Sequence, residues 1–213
     1  ADGDLTWSYS GNTNLSVIIS SSVATITALN PEWNGAETIT FIASDDDGAS
    51  DSDAATFTVT AVNDPPVVTD IPGQSITEGS SFVTISLDNY VSDVDNADAE
   101  IIWTYTGNTQ LGVSITGRVA AITVPDSDWN GSETIIFRAT DPGSQWDDDE
   151  AAFTVTGVND APVITDIPDQ TIAEGATFAT INLDNYVSDI DNADNQLSWT
   201  YSGNTQLAVS IVS

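Results

Sequence analysis

The chain has 213 residues, of which 33 are Asp or Glu and only two, Arg118 and Arg138, are basic, for a formal net charge of −31. A polyanion without a basic patch cannot neutralise phosphates, which excludes nucleic acid as a partner, and anionic membrane surfaces repel it for the same reason. Histidine and cysteine are absent, so imidazole bases, Ser-His-Asp triads, thiol nucleophiles, disulfides and zinc–thiolate sites are all ruled out.

Hydrophobic residues make up 40% and aromatics 8% of the chain, enough to build a core despite the charge. No apolar run is long enough for membrane insertion, and no leader-like segment is visible. With no methionine at all, the sequence reads as a piece of a longer or processed product.

In chain order, the first organised feature is Trp7-Ser-Tyr-Ser-Gly-Asn-Thr-Asn-Leu15, which returns at Trp103–Leu111 and at Trp199–Leu207, each time 96 residues later. Trp33-Asn34-Gly35 likewise returns as Trp129-Asn130-Gly131, and Val62-Asn63-Asp64 as Val158-Asn159-Asp160. Between residues 64–117 and 160–213, 36 of 54 positions are identical without a gap. These are tandem copies of one small-domain unit. Runs such as Phe82–Leu87, Thr134–Thr140 and Ala152–Gly157 alternate and are rich in Thr, Val and Ile, whereas no stretch keeps a helical period.

The predicted strands of the complete unit lie near 66–71, 81–87, 100–106, 111–116, 119–124, 133–140 and 151–157. Seven short strands in about 96 residues fit an all-β, immunoglobulin-like sandwich. Asn63-Asp64-Pro65-Pro66 and Asn159-Asp160-Ala161-Pro162 set the phase, because proline stiffens a short connection and cannot donate to a ladder. Residues 1–63 are then the last five strands of one repeat, 64–159 a whole repeat, and 160–213 the first four strands of a third. A half-sandwich exposes its core face, so it is completed either by more of its own chain or by a neighbouring subunit, head to tail.

The acidic residues recur at the ends of these units. In such a sandwich the loops after strands two and six share the pole where the chain enters. That places Asp93, Asp95 and Asp141 beside Asn63-Asp64. At the opposite pole Glu78, Asp126 and Asp128 lie beside Asn159-Asp160, with Asp189 and Asp191 of the next unit facing them. Clustered carboxylates repel one another unless something neutralises them. A hard cation that takes 6–8 oxygens in flexible geometry, Ca²⁺, answers that need. Asp45-Asp46-Asp47-Gly48 fails as an EF-hand loop, since positions one and twelve would be Ala43 and Ala54. Asp147-Asp148-Asp149-Glu150 reads as a solvated hairpin flank.

Asn159-Asp160-Ala-Pro, Asp93-x-Asp95 and the early Glu78 resemble the calcium motifs of cadherin repeats. The stretch Trp129–Asp141, closed by Val158-Asn159-Asp160, is similar to the cadherin-like tandem repeats of large bacterial surface proteins. The resemblance implies tandem cadherin-like sandwiches held as a rod by calcium, with Glu78, Asp93, Asp95, Asp141, Asn159 and Asp160 as ligands. It extends those roles to the equivalents Glu174, Asp189, Asp191, Asp45, Asn63 and Asp64. The Asp-Arg-Glu run of animal cadherins is absent, and Pro125-Asp126-Ser127-Asp128 stands in roughly its place, with Glu32 as counterpart in the first unit.

Trp103 and Tyr105 share a strand face; the tryptophan is expected in the core rather than on a sugar-stacking platform. Trp33 and Trp129 are expected to cover the core's end, and Trp146 to offer an exposed contact. Two Arg and no His leave little to position a substrate, so the sequence reads as non-catalytic. The expected role is a calcium-stiffened extracellular spacer of a bacterial adhesin or surface filament. The alternatives are a module recognising surface glycans or cells, and a fibre whose half-repeats complete one another.

Overall fold

The computed structural model describes residues 5–212. The chain is all-β apart from short 3-10 turns. Its strands in order are β1 (Thr6–Ser10), β2 (Leu15–Ser20), β3 (Val23–Ala28), β4 (Gly35–Ser44), β5 (Ser50–Val59), β6 (Val67–Val68), β7 (Gln74–Thr77) and β8 (Ile85–Ser86). They continue as β9 (Val91–Ser92), β10 (Ile102–Thr106), β11 (Gly112–Thr116), β12 (Val119–Thr123), β13 (Gly131–Thr140), β14 (Trp146–Thr156), β15 (Val163–Ile164) and β16 (Val187–Ser188).

By backbone contacts the chain divides into two compact units. The first comprises the chain up to Thr69, Asp88–Trp103 and Arg138–Asp148. Here β1, β4 and β5 form an antiparallel sheet in the order β1-β4-β5, and β2 pairs with β3 in a hairpin. Leu15, Val17 and Ile39 are buried at its centre, with Trp33, Phe41 and Phe57 packed around them. The short pair β6–β9 matches Val67 with Ser92 and Val68 with Val91, which brings the residues after Asn63-Asp64 alongside those before Asp93.

The second unit comprises Asp70–Leu87, Thr104–Phe137 and the chain from Asp149 on. Its β8, β11 and β12 form a sheet in the order β11-β12-β8, and β7 lies on the edge of the β10-β13-β14 ladder. The alternation seen in the sequence becomes burial: Ala151, Phe153 and Val155 of β14 point inward while Ala152 and Thr156 are exposed. Phe153 packs edge-on against both Phe82, at 5.3 Å between ring centres, and Phe137, at 6.4 Å. The β11–β12 hairpin turns at Gly117-Arg118, both with positive φ, as do Ser21-Ser22 at the equivalent place between β2 and β3. Two residues of positive φ give a turn whose twist suits the strands it joins.

The ladder differs from the expected strands in several places, and β6 and β8 keep only two residues each of the expected 66–71 and 81–87. β7 and β9 were not foreseen, because four- and two-residue strands carry too little alternation to read. β14 begins at Trp146, earlier than expected, since Asp147 and Asp149 are tied into the fold by hydrogen bonds described below. Within 160–212 only β15 and β16 form a ladder among the described residues, not four strands. In the complete repeat β7, β8 and β10 pair with β14, β12 and β13, and the positions 96 residues after those partners lie outside the described residues.

Trp103 is buried in the core as expected, at 7% exposure. Tyr105 is at the surface, its hydroxyl donating to the Val113 carbonyl at 2.8 Å. Trp129 accounts for the Asn-Gly that follows it: a Cβ on Gly131 would stand 2.8 Å from the indole, and φ there is +150°. Only glycine lets the ring lie so close to the backbone.

Candidate metal centre

The first acidic cluster forms inside the first unit. Asp93 opens the loop after β9, and its Oδ1 accepts the N–H groups of Asp95 and Asn96, both at 2.8 Å. This Asx turn folds the loop back so that the Asp95 Oδ2 accepts the Asp64 N–H at 2.7 Å. Asp141, at 3% exposure, follows β13; its Oδ1 accepts the Gln145 N–H and its Oδ2 accepts the Asn63 side-chain amide, each at 2.8 Å. The Gln145 side chain in turn donates to the Asn63 carbonyl at 2.7 Å. Asn63, Asp64, Asp93, Asp95 and Asp141 are thus joined in one network.

That network is short of donors. The Asp93 Oδ2 and the Asn96 Oδ1 are buried and accept no hydrogen bond. A buried acceptor without a partner is costly, and two in one loop mark a place that wants positive charge. The Glu32 carboxyl is held above its ordinary pKa, first by the charge of Asp64 and then by desolvation, a hydrogen bond with Asp64 and the charge of Asp95. Glu32 therefore belongs to this group, a residue that only its counterpart position at Asp128 brought to notice in the sequence.

The second cluster forms inside the second unit. Glu78, Asp128 and Asp160 each present a carboxylate oxygen, all within 4.8 Å of one another. The Glu78 Oε2 accepts the Val158 N–H at 2.7 Å, which fixes it against the chain leaving β14. The Asp191 Oδ2 accepts the Asp160 N–H at 2.6 Å, repeating the Asp95–Asp64 bond of the first cluster. Asp189 plays the part of Asp93: its Oδ1 accepts the N–H groups of Asp191 and Asn192 at 3.0 and 2.8 Å. Partial desolvation works against the Asp189 carboxylate, yet bonds from the Asn192 side chain and backbone and from the Asp191 backbone hold its pKa below the ordinary value. Asp160 is pushed the other way, by desolvation and then by the charges of Glu78, Asp128, Asp191 and Asp189. The Asn159 Oδ1 accepts the Asn192 side-chain amide at 3.2 Å.

Three expected residues stay apart. Asp126 caps its own turn through the Asp128 N–H at 3.2 Å. Asp45 does the same with the Ala49 N–H at 2.8 Å, and Glu174 is exposed; neither joins a cluster among the described residues. The Asp147–Glu150 run is not simply a solvated flank. The Asp147 Oδ2 accepts the Val68 N–H at 2.8 Å, the Asp149 Oδ2 accepts the Ile71 N–H at 2.7 Å, and Asp148 pairs with Arg138 at 2.7 Å. These carboxylates serve backbone donors and an arginine, so they are spent on the fold. Trp146 is half exposed, and the Arg138 guanidinium lies 3.6 Å over its ring.

Two further acids escaped the sequence. Glu37 and Glu133 each fold a Gly-Asn-Thr loop around a carboxylate, Glu133 accepting the N–H groups of Thr109, Gln110 and Leu111 at 2.7–3.0 Å and the Thr109 hydroxyl. Desolvation opposes both charges, but these bonds outweigh it and bring each pKa down to about 2. A carboxylate saturated by the protein's own donors is a loop anchor rather than a ligand.

Residues 63–156 match the family model described as bacterial Ig domain. Over this segment, a little under half of the chain, the protein is similar to a bacterial immunoglobulin-like repeat. As an Ig-like repeat it is a module of an adhesion or structural type, and such families are typically non-catalytic. Among solved structures, the chain is similar to the protocadherin gamma B4 extracellular domain at 23% identity and a TM-score of 0.48, covering 76% of this chain and 29% of that one. It is similar to cadherin domains 1–4 of protocadherin gamma B7 at 20% identity and 0.49, covering 89% and 51%. For Drosophila N-cadherin EC1-4 the values are 18% and 0.47, covering 73% and 42%. The chain thus spans about half or less of each of these. No curated protein matches it by sequence. Among the described residues no helix is long and apolar enough to cross a membrane.

Proposed function

We propose that the chain is a calcium-binding stretch of tandem Ig-like repeats, divided near residues 63 and 159, that serves as a non-catalytic spacer in an extracellular bacterial adhesin or surface filament. The observation that carries this reading is the recurrence of one oxygen cluster at both connections. Each is built on the same Asx turn and the same carboxylate-to-Asp N–H bond, and neither holds a cation of the protein's own.

The donors suit calcium. Carboxylates and amide oxygens are hard ligands, and at the second cluster the Glu78, Asp128 and Asp160 oxygens within 4.8 Å of one another fit a shared ion with bonds of about 2.3–2.6 Å. Magnesium demands tighter octahedral geometry and keeps its water, so a cage of several carboxylates fits it less well. At the first cluster Asp93, Asp95, Asn96, Asp141, Asp64 and Glu32 would hold the ion, and at the second Glu78, Asp128, Asp160, Asp189 and Asp191. Bound calcium supplies the positive charge that cancels their repulsion and fixes the connection between repeats. Open, polar sites of this kind fill at the millimolar calcium found outside cells, which supports an extracellular setting.

Calorimetric titration of calcium into chelator-treated protein tests the reading. Binding with Kd of about 10⁻⁴–10⁻³ M is expected, and no heat at millimolar calcium would overturn it.

A further inference from the structure

The β10-β13-β14 ladder and the β1-β4-β5 ladder share one plan, yet their outer faces differ in kind. On the earlier sheet Thr6, Ser44 and Ser50 stand side by side, and the next row sets Ile42 opposite Ser52. A shift of 96 residues carries the first row onto Ile102, Thr140 and Trp146, and the second pair onto Arg138 and Asp148. The ladder forms with serine at 50 and 52, so pairing of the strands does not require the tryptophan or the ion pair.

Trp146 is 51% exposed and Ile102 64%. The Arg138 guanidinium lies 3.6 Å over the indole and covers one face of it. Its Nε and Nη2 donate to the Asp148 Oδ2 at 3.0 and 2.7 Å. The ring is thereby held from one side by a cation that is itself tied to β14, and its exposed half presents an apolar surface to water. An aromatic fixed in this way loses little freedom when something settles on it. The ion pair is part exposed, at 43% and 29% for the two side chains, so donors and an acceptor flank the ring.

Charge narrows the occupant. Arg138 and Asp148 cancel, which makes this row neutral within a chain of net charge −31. The field of the whole chain repels anions, and the guanidinium already takes a cation's place against the indole. What fits is an uncharged ligand with a flat apolar face and a hydroxyl-bearing rim. A pyranose whose hydroxyls are all equatorial has that shape, with axial C–H bonds on both faces and hydroxyls around its edge. The row from Ile102 to Trp146 crosses two strand spacings, about 10 Å, which is longer than one such ring.

We propose that Ile102, Thr140 and Trp146 form a docking row for a neutral β-linked glucan chain, with Trp146 stacking on a sugar ring and Arg138 and Asp148 bonding its hydroxyls. None of these residues belongs to either acidic cluster, so the site stands apart from the calcium reading.

Titration of cellohexaose into the whole chain in calcium tests this, followed by tryptophan fluorescence and by the indole N–H signals in NMR. Saturable binding with Kd of about 10⁻³ M is expected. Trp146→Ser and Arg138→Ile place on this sheet the residues its counterpart holds, so both are expected to keep the parent's circular dichroism. The first is expected to weaken binding by about tenfold or more, the second by about threefold. Because the ligand is uncharged, Kd should change by less than about twofold between about 0.05 and 0.5 M sodium chloride. No saturable change up to about 10 mM, Trp146→Ser binding as the parent does, or a tetra-arginine peptide displacing the glucan from Trp146 overturns the proposal.

Discussion

The two acidic clusters share a plan and differ in how each oxygen is used. In the first, the loop is closed over its acceptors: Asp141 is buried, and the Asp93 Oδ2 and Asn96 Oδ1 have no donor. In the second, the Asn192 side chain turns to satisfy both Asp189 and Asn159, and the strain moves to Asp160, crowded by Glu78 and Asp128. One site is short of donors and the other is overfilled with charge. Under the proposed function the same kind of ion would cure both deficits.

The strongest test of this pairing is removal of divalent metal. Chelation is expected to loosen both connections while the Ig-like repeat stays folded, so the maximum dimension from small-angle scattering should change without loss of its β signal in circular dichroism. Saturating calcium at about 100 times Kd should raise stability by about 2.7 kcal/mol per site, visible as a higher thermal midpoint.

Next in size, Asp93→Asn together with Asp95→Asn should weaken calcium binding at the first cluster by about tenfold or more, equivalent to about 1.4 kcal/mol, and leave the second nearly intact. Equal loss at both in titration calorimetry would break the comparison. Asp128→Asn should act in reverse. It weakens calcium at the second cluster, but in chelator it relieves Asp160 and should raise the thermal midpoint slightly.

The smallest effect belongs to acids outside the clusters. Glu37 and Glu133 have folded-state pKa values lowered from 4.5 to about 2. Their stabilisation is therefore complete above the unfolded value and fades as pH falls from about 4.5 toward 2. Glu133→Gln should flatten the decline of stability measured between pH 5 and pH 2, and lower the midpoint at neutral pH by about 5 °C or less.

Much of this was legible because the chain repeats itself. Periodicity in β13 and β14 and the 96-residue spacing gave the sandwich strands, and the Asp93-x-Asp95 and Asn-Asp pairs gave the clusters. What stayed hidden depended on contacts distant in sequence. Nothing in Asp147 or Asp149 tells that they cap the N–H groups of Val68 and Ile71, about 80 residues away. Glu133 sits in an ordinary alternating strand, and only the folded Thr109–Leu111 loop makes it an anchor. The short β7 pairs through four residues whose pattern is no different from a loop's. Asn96 and Asn192 look alike in sequence, yet the Asn192 side-chain amide donates to the Asn159 Oδ1 while the Asn96 Oδ1 is left without a donor.

The parallel pairing of β7 with β14 bears on how the repeat meets tension. The chain enters ahead of β7 and leaves beyond β14, so a pull on the two ends drags these strands past each other along their length. All four residue pairs from Phe153–Gln74 to Thr156–Thr77 then resist together instead of parting one at a time, and a module wired in this way holds under load before it yields.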